Sequence, residues 1–94
     1  MDHHKFNTVS IEEDTELLFS QEMKLEEYDV VYQKWFWGDI YGESMIFLTQ
    51  DILQLGNDEL LKQVKSSPIF NPDSEITISK SDDFTFVNFN FQSY

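Results

Sequence analysis

Of residues 30–37, Val-Val-Tyr-Gln-Lys-Trp-Phe-Trp, all but Gln33 and Lys34 are β-branched or aromatic. Branching at Cβ and bulky rings suit a pleated strand and crowd a helical turn. In an extended chain Val30, Tyr32 and Phe36 project to one side, and Val31, Trp35 and Trp37 project to the other. Whichever side meets a core, the other still carries large rings. The chain is committed to a sheet.

The neighbouring segments fit around this strand. Leu17, Phe19, Met23 and Leu25 fall on alternate positions, interrupted by Gln21, which predicts a strand over 16–25. Ahead of it, Ser10-Ile11-Glu12-Glu13 has the form of a capping box and is read as a short turn at 10–15. Residues 26–29 form a connection. Gly38-Asp39 and Tyr41-Gly42-Glu43 carry turn chemistry, and residues 44–48 either pair back as a hairpin arm or open a helix. Thr49-Gln50-Asp51 is a helix start. Ile52, Gly56, Leu60 and Val64 then recur at i+4, with Leu53 and Leu61 widening the stripe. Gly56-Asn57 divides this segment into two short helices, with Asn57 or Asp58 capping the second. Ser66-Ser67-Pro68 ends it.

The chain closes on a hairpin, with arms at 75–80 and 84–92 joined by Ser81-Asp82-Asp83. In the second arm the apolar set changes face between Phe86 and Val87, which calls for a bulge near 86–88 or burial on both faces. The expected architecture is a single α+β domain over 1–94, with residues 1–5 frayed. It is an antiparallel sheet of four or five strands with one helical segment, at about 50–66, packed on it.

Charge is distributed unevenly along this frame. Residues 1–59 carry fourteen of the eighteen acids against Lys5, Lys24 and Lys34, a net of −11. Residues 60–94 carry four acids against Lys62, Lys65 and Lys80, a net of −1. A field of one sign selects partners by charge before any contact forms. The total of −12 repels phosphate backbones and anionic lipid, which argues against direct nucleic-acid or membrane binding. Nine Phe, four Tyr and two Trp set the chain apart from disordered acidic sequences, which are poor in aromatics. No apolar run approaches a membrane span, and the N-terminus lacks the apolar core of a signal peptide. With no cysteine, the expected compartment is the cytoplasm.

Familiar reaction chemistry finds little footing. The histidines are His3 and His4, side by side near the N-terminus, so no internal imidazole serves acid–base work at neutral pH. Without cysteine the thiolate triads are excluded. Asn71, Asp73 and Glu75 alternate towards Asp82 like a calcium loop, yet Ile76 stands where glycine is needed and Asp82 where a bidentate Glu belongs. Gly42-Glu43-Ser44-Met45 has the look of a carrier-protein attachment serine, but carrier domains are helical bundles and this chain ends in a hairpin. The expectation is a non-enzymatic protein with no cofactor and no metal.

The surviving constellation combines carboxylates with aromatic rings. Glu12, Glu13, Asp14, Glu16, Glu26, Glu27 and Asp29 form the expected electrostatic surface, with Trp35 and Trp37 as interface anchors if they face outward. The alternative for these rings is a strand covered on both faces, with every ring in the core. Alternate strand residues lie about 6.7 Å apart, near the scale of a phosphate backbone, so the acids along 12–29 can compete for a basic groove. The partner this implies is a basic, nucleic-acid-directed protein that the chain inhibits or neutralises. In size and charge the chain resembles small acidic bacterial immunity proteins and phage-encoded anti-restriction or anti-CRISPR proteins. Its closing hairpin, Ile76-Thr77-Ile78 with Phe84-Thr85-Phe86-Val87-Asn88-Phe89, loosely resembles the last strands of cloacin-type immunity proteins, without a diagnostic motif. The alternative is an adaptor or regulatory subunit whose acidity serves solubility alone. A homodimer is a further option, through the uncharged C-terminal strand if it lies at a sheet edge.

Overall fold

The computed structural model describes residues 14–93. Within them the chain forms strands β1 (Thr15–Leu25), β2 (Tyr28–Trp37) and β3 (Ile40–Leu48). A 3₁₀ turn at Thr49–Ile52 and helix α1 (Asn57–Lys65) follow, then β4 (Thr77–Lys80) and β5 (Phe84–Ser93). The five strands make one antiparallel sheet in the order β1-β2-β3-β5-β4. This is the α+β architecture expected, with α1 against one face of the sheet. The capping box at residues 10–13, His3, His4, Glu12 and Glu13 lie outside the described residues.

The first three strands are a meander joined by two-residue turns. Leu25 pairs with Tyr28 across Glu26-Glu27, and Trp37 pairs with Ile40 across Gly38-Asp39. Such tight turns need a positive φ to match the twist of the strands. Gly38 supplies it at +59°, where glycine carries no steric penalty, whereas Glu26 adopts +54° with a full side chain.

The sequence places β3 differently from the fold. Tyr41-Gly42-Glu43 is not a turn; it lies inside β3, opposite Phe36, Trp35 and Lys34. Gly42 is there because the Trp35 indole lies directly over it, in the space a Cβ would occupy. The expected segment at 50–66 is present as two pieces, the 3₁₀ turn and α1. Gly56 is the N-cap, without a side-chain hydrogen bond, in place of the expected Asn57 or Asp58. At its C-terminus the Ser66 N–H donates to the Lys62 carbonyl at 3.1 Å, and Lys62 and Lys65 occupy the last turn, where cations suit the helix dipole.

Both faces of the sheet bury apolar side chains. On the α1 side, Val30, Met45, Phe47, Val87 and Phe89 pack with Ile52, Leu60, Val64 and Phe70. Full burial of side chains such as Phe47 and Phe89 contributes on the order of 2–3 kcal/mol each. On the other side Val31, Ile46, Leu48 and Phe84 form a smaller cluster with Phe86 against it. The change of face between Phe86 and Val87 is therefore burial on both faces. The bulge falls further along, at Asn90, whose φ is +56° and where the β3 register shifts. It returns Phe91 to the face that carries Trp35.

Asn90 also ties the long α1–β4 connection to the sheet. Its Oδ1 accepts from the Asn71 N–H at 2.8 Å, and its Nδ2 donates to the Ile69 carbonyl at 2.8 Å and to Glu43 Oε1 at 3.1 Å. Its own N–H donates to Ser74 Oγ at 2.6 Å. One rung of the sheet runs across four strands, from Thr15 through Trp37 and Ile40 to Ser93. β5 lies between β3 and β4, so it is not the edge strand that C-terminal strand pairing between two copies requires. Among the described strands the edges are β1 and β4.

Candidate protein-interaction site

The sheet face turned away from α1 is where aromatic side chains remain reachable. Register places Gln33, Trp35 and Trp37 of β2 beside Ser44, Gly42 and Ile40 of β3. Phe86 and Asn88 of β5 sit opposite Ile46 and Ser44, and Ser79 and Thr77 of β4 complete the row. Together they form an open groove of about 650 Å³. Trp35, Trp37, Phe84, Phe86 and Phe91 supply its aromatic surface, and hydroxyl and amide groups supply the rest. Among the described residues no ionisable side chain lines it.

A chain of hydrogen bonds crosses the floor from β2 to β4. Trp35 Nε1–H donates to Ser44 Oγ at 2.8 Å, and Ser44 Oγ–H donates to Asn88 Oδ1 at 2.6 Å. Asn88 Nδ2 donates to Thr77 Oγ1 at 3.2 Å. The Thr77 hydroxyl, which accepts here, keeps its own proton to donate. Trp35 is further fixed by an edge-on contact with Phe91, ring centroids 6.2 Å apart. Among the described residues Trp37 has no such restraint, and it is 50 % exposed.

The predicted acids fall into two groups at opposite ends of this face. Asp14 and Glu16 lie at the start of β1, at the Trp37 end, since Thr15 pairs with Trp37 and Glu16 with Phe36. Glu26, Glu27 and Asp29 lie eight or more residues further along the hairpin, about 27 Å away by strand rise. Asp29 pairs with Lys24 at 2.7 Å. The acids of β1 do not form a single row: Glu16 shares the α1-side face with Phe36, and Glu22 shares the open face with Val31. Trp35 and Trp37, expected as anchors, share the open face, but Trp35 is half-buried and bonded while Trp37 stands out.

The acids nearest the groove are not those of the expected electrostatic surface, and its polar floor was not foreseen. Asp39 is in the turn between Trp37 and Ile40, and Asp82 and Asp83 are in the turn between Ser81 and Phe84. All three are exposed. Thus Asp14 and Asp39 flank one end of the groove, and Asp82 and Asp83 join Glu26, Glu27 and Asp29 at the other. Gln33 was discoverable by parity, two residues before Trp35. Ser44, Asn88 and Thr77 come together only through cross-strand register.

One acid that neighbours the groove in sequence serves the fold instead. Glu43 faces the α1 side and accepts from the Tyr32 hydroxyl, from Tyr41 Oη at 3.0 Å and from Asn90 Nδ2. Burial, and then the hydrogen bond to the Glu43 carboxylate and its charge, push the Tyr32 phenol well above its ordinary pKa of 10.0. Among the described residues no group of three or more His, Cys, Asp or Glu is placed to hold a metal ion. No helix among them is long and apolar enough to cross a membrane. No known family model matches the chain, and neither a curated protein nor a solved structure matches it.

Proposed function

We propose that this domain is a non-enzymatic antagonist that binds a basic, nucleic-acid-directed protein and occupies its cationic groove, in the manner of an immunity or anti-defence protein. The observation that carries this reading is the open sheet face. It presents an exposed Trp37 and an uncharged aromatic groove, with exposed carboxylates at both ends. Carboxylates so placed steer a cationic partner into encounter, while the aromatic surface supplies the apolar contact that holds it. The net charge of −12 directs the same surface away from nucleic acid itself.

Ionic strength separates this role from that of an adaptor that is acidic only for solubility. Steered association slows steeply as salt rises, since charges further apart than about 8 Å are largely screened at physiological ionic strength. A partner recovered from the native host should bind with a strongly salt-dependent association rate. Reversal of Glu26, Glu27 and Asp29 to Lys should slow that association at low salt while leaving the fold intact. Undiminished binding by the triple variant at low salt would overturn the electrostatic reading.

A further inference from the structure

The open face is built to a particular length, and that length defines what fits it. The groove lies between two acidic ends, Asp14 with Asp39 at one and Asp29 with Asp82 and Asp83 at the other. From Trp37 to Asp29 is eight residues along β2, about 27 Å by strand rise. An extended segment of about eight residues covers the same distance.

The middle of the face is of different character from its ends. Between them the groove presents rings and neutral hydrogen-bonding groups. Lys34, Glu43 and Lys80 neighbour lining residues in sequence, but strand alternation turns them to the other face. Burying a charge in the uncharged middle of such a groove is costly unless it is paired, whereas a charge at either end stays in water beside carboxylates. The Trp37 ring, half exposed next to Asp39, also offers its face to a cation.

We infer that this face receives an extended segment of a partner protein, about eight residues long, with lysine or arginine at both ends and a short uncharged, aliphatic centre. The inference rests on the antagonist reading above and names the element of the partner that it holds. Aliphatic side chains of the segment cover Phe86 and Trp35. Its terminal cations meet Asp39 and the Trp37 ring at one end and Asp82 and Asp83 at the other. The Thr77 hydroxyl and the Ser79 side chain, on the short edge strand β4, are placed to bond its backbone.

The test is a pair of isomeric octapeptides, acetylated and amidated to remove terminal charge. One is Lys-Arg-Val-Leu-Ser-Val-Arg-Lys, with its cations at the ends. The other is Val-Leu-Lys-Arg-Arg-Lys-Ser-Val, with the same composition and its cations in the centre. Binding at low salt is read by calorimetry and by tryptophan fluorescence, Trp35 and Trp37 being the chain's two tryptophans. The end-charged peptide should bind at least ten-fold more tightly. Trp37→Ala should bring it down to the level of its isomer, and Trp37→Phe should restore most of the difference. Equal binding of the two peptides, or indifference to Trp37→Ala, overturns the groove assignment and leaves the electrostatic reading standing. If neither peptide binds at low salt, both fall. A dimer in sedimentation that Trp37→Ala dissolves assigns the face to a second copy and overturns the inference.

Discussion

The Trp35 indole occupies the space above Gly42 on the neighbouring strand, where any larger residue would place its Cβ. That seat lets Trp35 Nε1 reach Ser44 and start the chain of bonds across the groove floor. Gly42→Ala forces the ring out of place, and overpacking of this kind costs about 1–3 kcal/mol. The expected signature is a lower urea midpoint together with a red-shifted tryptophan emission as the indole leaves its pocket. An unchanged emission spectrum would show that the indole does not depend on Gly42.

Asn90 makes two separable contributions, its left-handed backbone and its side-chain bonds to Asn71, Ile69 and Glu43. Asn90→Gly keeps the first and loses the second; Asn90→Ala loses both. At about 1 kcal/mol per hydrogen bond, Asn90→Gly should cost about 2–3 kcal/mol. Asn90→Ala should cost about 1 kcal/mol more, for the positive φ. Hydrogen exchange should rise first in residues 69–71, which the side chain fastens. Equal stability of the two variants would show that the bulge carries no backbone preference.

The Tyr32 phenol sets a limit on the alkaline side. Its pKa is raised in the folded protein, so the folded state keeps the proton when the unfolded chain begins to lose it near pH 10. The stability associated with that proton is complete below pH 10 and declines as pH rises beyond it. Tyr32→Phe lowers stability at pH 8, by about 1.5–3 kcal/mol for the lost bond to a charged acceptor. The variant should then lose less than the parent between pH 9 and 11. Urea midpoints across that range decide the matter, and parallel curves would sink the assignment.

Much of the sheet was legible because its strands are written in alternation. The β2 side-chain directions follow from sequence parity alone, including the shared face of Trp35 and Trp37. β3 was obscured because Gly42 has two physical meanings: a turn residue in isolation, and a clearance for a ring on the neighbouring strand. Of the two explanations for the change of face after Phe86, burial on both faces is the one found. The switch from Phe86 to Val87 resembles a register slip, whereas a sheet with two apolar faces needs none there. The groove lay beyond reach altogether, since its floor joins Ser44 to Asn88 across forty-four positions. The acids were legible as a population but not as two ends of one surface.

Thr15 and Ser93 share a rung three strand spacings wide, about 14 Å. The polypeptide therefore enters and leaves the sheet beside Trp37. A probe attached at Thr15 or Ser93 itself sits at that mouth of the groove and crowds whatever approaches it. The Glu26-Glu27 turn lies at the opposite end and stays clear. A label or tether attached at that turn leaves the Trp37 approach unobstructed, so the same molecule can give opposite binding results according to how it is held.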